Sequence, residues 1–264
     1  MTPSLQSVQK ILVAAAREEL LPRFNRVART HKADGSVLTE ADIAVQERVA
    51  GELLRNWPGT VFMGEEMSVD EQQQLIASPN PVWCLDPLDG TSNFAAGIPY
   101  FCISLALLSH GKVQLGVVYD PLRDECFAAS RAEGAMLNGE PLTVPSSGLP
   151  LKRATALIDF KRLAPELAMR LVREIPYASQ RSFGSVALDW CWLATGRCHI
   201  YLHGRSNVWD YAAGQFIFQT AGGQSCTLDG EAIFTQALTP RSAVAALDRP
   251  LFEAWTGYLD ISCR

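Results

Sequence analysis

The residues best suited to chemistry lie in one stretch, from Trp83 to Phe94. An apolar run ends at Asp86, a proline follows, and Asp89 precedes Gly90-Thr91-Ser92, which opens a predicted helix. Two carboxylates at this spacing repel each other unless a cation lies between them. Oxygen ligands suit Mg²⁺ or Mn²⁺, and free backbone amides at a helix start can hold a phosphate group. The alternative is structural: an Asp-Pro turn followed by a helix cap.

Three other acidic positions could complete such a site. Glu65, in Gly64-Glu65-Glu66, directly follows a predicted strand, Asp210 lies at the start of a predicted helix, and Asp42 stands three residues after Thr39. Each also has an ordinary explanation, because adjacent surface acids are common and both aspartates occupy helix-capping positions. The three gain weight only in combination with the Asp86 to Asn93 stretch.

Apolar spacing predicts the elements that must position these residues. The first part of the chain contains two predicted helices, one over Leu5 to Leu20 and one starting near Thr39, where a Ser/Thr-x-x-acid pattern predicts a capping box. Its predicted strands are Val61 to Met63, Val82 to Leu85, Phe101 to Leu108, Val113 to Tyr119 and Cys126 to Ser130, with a turn at Asn138 and Gly139.

The clearest boundary follows Leu142, where Val-Pro-Ser-Ser-Gly-Leu-Pro interrupts the pattern. The second part alternates strands and helices, which is typical of an α/β arrangement. Its predicted elements are a strand near Ala154 to Ile158, a helix near Ala164 to Arg173, a helix near Val186 to Thr195, a strand near Cys198 to Leu202 and a helix from about Asp210 to Thr220.

Composition excludes several function classes. With 264 residues, 48% hydrophobic and 19% charged, the chain is predicted to fold as one large or two packed domains. Its net charge of -5 argues against binding to nucleic acid or acidic lipid, and its apolar runs are too short to span a membrane. The N-terminus lacks a signal-peptide pattern, so we expect a cytoplasmic protein. The seven cysteines are odd in number and contain no CxxC, so we expect reduced core thiols, not disulfides or a zinc site.

In combination, these motifs resemble those of the inositol monophosphatase family of magnesium-dependent, lithium-sensitive phosphatases. The likeness runs over most of the chain and keeps the family order. The matching segments are Leu38 to Asp42, Gly64-Glu65-Glu66, Asp86 to Phe94, Gly116 to Pro121, Gly134 to Gly139, Gly184 to Leu188, and Trp209-Asp210 with Ala221-Gly222-Gly223. The resemblance implies an α/β fold, a layered αβαβα sandwich of the inositol monophosphatase and fructose bisphosphatase type. It also implies a homodimer.

The resemblance implies a set of metal ligands as well. Glu65, Asp86 and the carbonyl of Leu88 would hold one Mg²⁺, and Asp86, Asp89 and Asp210 would hold a second. A third, weaker site would use Glu65 and water, and Mn²⁺ could replace Mg²⁺. Residues 1–142 would then form an α+β domain with most metal ligands and the phosphate loop. Residues 143–264 would form an α/β domain that supplies Asp210 and the substrate-side wall.

Roles in catalysis and substrate binding follow from the same resemblance. Catalysis would use Asp42, Glu65 and Thr91, with Thr91 and Asp42 orienting and deprotonating the attacking water. The amides of Gly90 and Thr91 would hold the phosphate. Lys32 resembles a family lysine that closes over the metal site, and its alternative is a solvated loop charge. The residues implied to contact substrate are Asp89, Ser185, Val186, His203 and Asp210.

One position departs from the inositol-specific pattern. Seven residues before Asp210, where those members have a glutamate that binds ring hydroxyls, this chain has His203. A histidine can bind a hydroxyl, but it can also become positive and favour an acidic group on the substrate. A surface histidine at a strand end is the alternative. Arg181 and Arg205 could add positive charge at the pocket mouth or could simply be solvated.

We therefore expect a metal-dependent phosphomonoesterase that hydrolyses a small polyol or sugar phosphate, with inositol monophosphate as the first candidate. A sugar bisphosphatase and a nucleotide 3'-phosphatase are the alternatives within the superfamily. A non-catalytic regulatory or binding member is the alternative of another class, and retention of all the acidic positions argues against it.

Overall fold

Two main sheets organise the molecule, which is represented by a computed structural model describing residues 3–25, 30–31 and 37–263. The seven-stranded sheet keeps sequence order, with its first two strands parallel and the rest antiparallel. A short antiparallel pair, β1 (Thr30–His31) and β2 (Val37–Leu38), lies outside it. The strands of the large sheet are β3 (Val61–Gly64), β4 (Val82–Asp89), β5 (Cys102–Ser109), β6 (Lys112–Asp120), β7 (Glu125–Ser130), β8 (Gly134–Leu137) and β9 (Glu140–Pro141).

The second sheet has five strands in the order β11-β10-β12-β14-β13. Strand β10 is parallel to both of its neighbours, and β14 is antiparallel to β12 and β13. The strands are β10 (Thr155–Asp159), β11 (Ser179–Arg181), β12 (Ile200–Ser206), β13 (Gln224–Cys226) and β14 (Arg241–Ala246).

Eight α-helices cover the sheets in the described part of the chain. They are α1 (Leu5–Ala15), α2 (Glu40–Asn56), α3 (Val69–Ile76), α4 (Thr91–Ala96), α5 (Pro165–Arg173), α6 (Val186–Ala194), α7 (Val208–Thr220) and α8 (Arg249–Tyr258). A π-helical turn, Ala16–Leu20, continues α1, and 3-10 turns occupy Leu151–Arg153 and Phe160–Arg162. None of the described helices is both long enough and apolar enough to cross a lipid bilayer.

Side-chain alternation along the strands creates the layers. Because successive side chains point to opposite faces, Trp83 and Leu85 pack with α1 and α2, whereas Val82 and Cys84 pack with α6 and α7. The five-stranded sheet lies on the far side of α6 and α7, and its other face packs against α5 and α8. The result is the αβαβα sandwich expected from the sequence.

The sequence predictions for individual elements hold closely. The capping box at Thr39 and Asp42 is present at the start of α2, and the predicted second-part helices appear as α5, α6 and α7. The prediction of exclusively reduced thiols is wrong for one pair, because Cys226 and Cys263 form a disulfide. The tail returns beside β13 and brings their Cα atoms to 6.2 Å, a contact that spacing in the sequence does not reveal. The other five cysteines are free and buried, as predicted.

Candidate active site

Three carboxylates converge where two strands end and a helix begins. Glu65, Asp86 and Asp210 each place one oxygen within 4.8 Å of the others. Strands β3 and β4 are parallel, with Gly64 paired to Leu85, so the residues that follow these positions lie at the same sheet edge. Asp210 reaches them from the first turn of α7. The structure therefore brings together three of the acids singled out in the sequence.

Gln72, a buried residue on α3, holds the turn that carries Glu65. Its Nε2 donates to the carbonyl oxygens of Gly64 at 2.9 Å and Glu65 at 3.1 Å. The Glu65 amide donates to the carbonyl of Leu85 at 3.1 Å. Sequence reasoning missed Gln72, because a glutamine on an exposed-looking helix carries no signal of this contact.

The cluster is electrostatically costly without a counter-charge. Burial of Asp86, which is 2% exposed, raises its pKa well above the usual range, and Glu65, Asp89 and Asp210 raise it further. Removal from water likewise raises the pKa of Asp210, with Glu65 and Asp89 adding to the effect. An oxygen-only donor set held at this spacing and under this repulsion fits a hard divalent cation. The residues present are thus suited to the metal that the sequence pattern suggested.

Asp89 lines the same pocket but is held differently. A β-bulge between Asp86 and Asp89 turns the end of β4, and the Asp89 Oδ2 accepts hydrogen bonds from Ser185 Oγ at 2.7 Å and the Ala187 amide at 2.6 Å. Burial raises the pKa of Asp89 to about 6 although these donors oppose the shift. Its carboxylate is therefore oriented by the start of α6 and is not one of the three convergent oxygens.

Asp42 combines its capping role with a contact to the site. Its Oδ2 accepts from the Thr39 amide and hydroxyl, both at 2.7 Å, while its Oδ1 lies 3.4 Å from Thr91 Oγ1. The Thr91 hydroxyl also donates to the Leu88 carbonyl at 2.9 Å. Burial raises the pKa of Asp42 to about 7, against the Thr39 hydrogen bonds and with help from Glu66 and Glu65. The ordinary capping explanation is thus correct, and it leaves one oxygen free to face Thr91.

Gly90 makes the turn between β4 and α4 possible. Its φ is +96°, and a Cβ there would lie 2.9 Å from the carbonyl oxygen of Tyr100. Helix α4 begins at Thr91, and the first amides of a helix have no acceptor within it. Both Gly90 and Thr91 line the pocket beside the acids. Backbone donors are therefore available next to the carboxylates.

The pocket has a volume of about 570 Å³ and unites residues from both sheets. Ser185, Val186 and His203, the residues implied to contact substrate, line it together with the acids. His203 is 3% exposed, so the surface-histidine alternative is wrong. Its Nε2 lies 3.4 Å from Asp159 Oδ2, and its Nδ1 is buried without a hydrogen-bond partner in the described structure.

Lys32, the lysine that the resemblance implies would close over the metal site, lies outside the described residues. A groove of about 660 Å³ beside α1 is larger, but the convergent acids are not in it.

Sequence reasoning missed four charged residues that line the pocket: Asp159, Lys161, Arg162 and Asp189. Of the two arginines it considered, Arg205 lines the pocket, while the Arg181 guanidinium donates to Ser179 Oγ and the Gln180 carbonyl. His199 has a structural contact, because its Nδ1 accepts from the Thr155 amide at 2.9 Å. The only available signal for Lys161 and Arg162 was their position directly after a predicted strand.

Comparison with known proteins decides the family. The sequence model of the inositol monophosphatase family matches residues 2–258. This chain belongs to the inositol monophosphatase family. Among curated relatives, it is 35% identical over 240 residues to Nus factor SuhB of Pasteurella multocida, covering 86% of this chain and 84% of that one. It is 36% identical over 200 residues to inositol monophosphatase 1 of Solanum lycopersicum, covering 73% and 72%. It is 33% identical over 218 residues to the fructose-1,6-bisphosphatase/inositol-1-monophosphatase of Thermotoga maritima, covering 80% of each.

Solved structures of the inositol monophosphatase family match the fold. The inositol monophosphate-bound crystal structure of the staphylococcal protein SaIMPase-II superposes with a TM-score of 0.80 at 29% identity, over 97% of this chain and 94% of that one. An IMPase/NADP phosphatase complexed with Mg²⁺ and phosphate gives a TM-score of 0.81 at 25% identity, over 97% and 95%. Membership supports phosphatase chemistry and the use of a divalent metal, and it leaves the substrate open.

Proposed function

We propose that this protein is a divalent-metal-dependent phosphomonoesterase that hydrolyses a small polyol or sugar phosphate, with inositol monophosphate as the first substrate to test. The observation that carries the proposal is the convergence of Glu65, Asp86 and Asp210 beside the amides of Gly90 and Thr91. Carboxylates suited to cations and backbone donors suited to phosphate then share one pocket.

The proposed metal ligands are those expected from the family. Glu65, Asp86 and the Leu88 carbonyl would hold one Mg²⁺, and Asp86, Asp89 and Asp210 a second, with a weaker third site at Glu65. The hydrogen bonds from Ser185 and Ala187 orient the Asp89 carboxylate through Oδ2 and leave Oδ1 for a cation. When bound, Mg²⁺ or Mn²⁺ supplies positive charge that lowers the pKa of water and offsets the charge of the phosphate ester.

The protein's own residues position the reaction. The Thr91 hydroxyl lies between the Leu88 carbonyl and Asp42 Oδ1, so it can accept a hydrogen bond from the attacking water and pass a proton to Asp42. A carboxylate whose pKa is raised to about 7 suits that acceptor role. The amides of Gly90 and Thr91 would hold phosphate oxygens. Water oxygen bonds to phosphorus, the ester oxygen leaves with a proton, and an alcohol and inorganic phosphate result.

Phosphate release from inositol 1-phosphate, with Mg²⁺ and with chelator, tests the proposal. We expect turnover only with the metal, a loss of at least about a hundredfold in kcat for Asp86→Asn and for Asp210→Asn, and an unchanged far-ultraviolet circular dichroism spectrum. Asp229→Asn, in an exposed turn, is the matched control. A near-normal rate for either variant would remove that residue from the metal set. Inhibition by lithium is expected in the same assay.

A regulatory role is the candidate of another class, because three curated relatives are named Nus factor SuhB. Retention of Asp42, Glu65, Asp86, Asp89 and Asp210 favours catalysis, since a binding surface has no need of buried, mutually repelling acids. Absence of turnover across a panel of polyol, sugar and nucleotide phosphates would favour the regulatory role and contradict the phosphatase proposal.

We also propose a homodimer. Large apolar side chains remain exposed on the single chain, including Met169, Val172 and Ile175 on or beside α5. Such a stripe is typical of an association surface. Sedimentation velocity should give twice the 28.9 kDa chain mass, and Val172→Glu should lower it if this stripe forms the contact.

A further inference from the structure

The wall of the pocket supplied by the five-stranded sheet is rich in cations. Lys161 and Arg162 follow the end of β10, and Arg205 lies near the end of β12. These two strands are parallel neighbours with Asp159 paired to His203, so the residues that follow each position lie close together. None of the three cations forms an ion pair with another described residue.

This arrangement is built into the backbone. The 3-10 turn Phe160–Arg162 lies directly against β12, because a Cβ at Gly204 would lie 1.9 Å from the carbonyl oxygen of Arg162 and 3.1 Å from Leu163 Cα. The turn is also capped by Asp159, whose Oδ1 accepts from the Lys161 amide at 3.0 Å. The absence of a side chain at Gly204 therefore allows the Phe160–Arg162 turn to pack against β12, which places Lys161 and Arg162 near Arg205.

The acids of this wall do not cancel that charge. Asp159 faces His203 at 3.4 Å, and the His203 hydrogen bond and, to a smaller extent, the charge of Arg162 lower the Asp159 pKa, so it counts as one ionised carboxylate. Asp189 accepts from the Tyr100 hydroxyl at 2.9 Å, and burial raises its pKa well above the usual range, which favours the neutral form. Three cations against one ionised carboxylate leave a net positive wall. The same pocket also carries the convergent acids, and the charge of Arg162 acts on one of them, Asp210.

We propose that Lys161, Arg162 and Arg205 form an anion subsite that selects substrates carrying a second acidic group, a phosphate or a carboxylate, besides the phosphate that is cleaved. The inference rests on the proposed phosphatase function and narrows its substrate class. A pocket of about 570 Å³ is within the range that holds small ligands of this kind. The ester phosphate would lie beside the carboxylates that are proposed to hold the metal, and the second anion would pair with the guanidinium and ammonium groups of Lys161, Arg162 and Arg205.

Matched substrates test the subsite. Fructose 1,6-bisphosphate is compared with fructose 1-phosphate for a second phosphate, and 6-phosphogluconate with glucitol 6-phosphate for a carboxylate. Wild type should prefer the doubly acidic member of at least one pair by about tenfold or more in kcat/KM. Arg162→Ala and Arg205→Ala should each lower that preference about tenfold, mainly through KM, and Arg162→Lys should restore part of it. Arg181→Ala, an exposed arginine outside the pocket, should leave the preference unchanged.

The outcomes separate this inference from the proposed function. Turnover of all four esters with no preference, or a preference that survives both alanine substitutions, overturns the subsite and leaves the phosphatase proposal intact. If no ester is hydrolysed, calorimetric titration of the two fructose phosphates in Mg²⁺ decides instead. Binding of the bisphosphate that is about tenfold weaker in Arg162→Ala then supports the subsite, and equal binding overturns it.

Discussion

Replacing Asp89 by Asn should make the metal-free protein more stable at alkaline pH while destroying its response to magnesium. Asp89 is buried beside Glu65 and Asp86, and the folded protein raises its pKa from 3.8 to about 6. A raised carboxyl pKa means that the folded state binds the proton more tightly than the unfolded chain does. Its stabilising contribution is therefore present below pH 3.8 and is lost as the pH rises through about 6.

The magnitude follows from that shift. Each tenfold change in proton affinity corresponds to about 1.4 kcal/mol, so ionised Asp89 costs the folded state about 3 kcal/mol at pH values well above 6. Asn keeps an acceptor for Ser185 and Ala187 but fits these donors less well, at a cost of about 1 kcal/mol. The free energy of unfolding of metal-free Asp89→Asn should therefore exceed that of wild type by about 2 kcal/mol. Removing the Asp89 charge also relieves Asp86 and Asp210, whose pKa values it raises, so their contribution has the same sign as this difference.

Urea unfolding followed by tryptophan fluorescence measures this difference. With chelator at pH about 8 the variant should be the more stable protein, and the gap should close as the pH falls towards about 4. With saturating Mg²⁺ the order should reverse, because ligand at a hundred times its Kd adds about 2.7 kcal/mol to a protein that binds it. Asp229→Asn should change either measurement by less than about 0.5 kcal/mol. A metal-free variant that is less stable than wild type at pH about 8 would refute the argument that burial, together with the charge of Glu65, makes ionised Asp89 destabilising.

Three further predictions concern the same site. Thr91→Ala should lower kcat about tenfold to a hundredfold with a smaller change in KM, and Thr91→Ser should retain most activity, as steady-state kinetics would show. Gly90→Ala should lower the free energy of unfolding by about 1–3 kcal/mol, because its φ is +96° and the Tyr100 carbonyl blocks a Cβ, and urea titration would measure the loss. Mg²⁺ should raise the thermal midpoint more at pH about 8 than at about 5, since protons compete for carboxylates whose pKa values are raised, and scanning calorimetry would detect the difference.

Local features of the site could be predicted because short-range rules govern them. The capping box of Thr39 and Asp42 joins residues three apart, and the turn at Gly90 depends on its own backbone angle. The acids from Asp86 to Asp89 stand at a strand end that is readable from the apolar run before it. Metal ligation by these residues stays a prediction, which the variants above test.

Long-range contacts could not be predicted in the same way. The residues near Asp89 in the sequence do not predict that Ser185 and Ala187 orient its carboxylate, because this contact forms only when α6 packs against the end of β4. The disulfide between Cys226 and Cys263 depends on where the tail returns. The hydrogen bonds from Gln72 to the Gly64 and Glu65 carbonyl oxygens depend on the packing of α3 against the turn at Glu65.

The amino-acid sequence by itself determined the helices and strands that hold the site, because alternating apolar strands, helix caps and glycine turns each act over a few neighbouring positions. The layered fold and the family followed from the resemblance of the motifs, and the metal and phosphate ligands that it implies stay a prediction. Only the tertiary structure decided that His203 is buried against Asp159. It also decided that Lys161 and Arg162, which follow β10, share a pocket with Arg205 of β12. Parallel pairing of β10 with β12 makes that juxtaposition, and pairing between strands some 40 residues apart depends on the packing of the whole sheet.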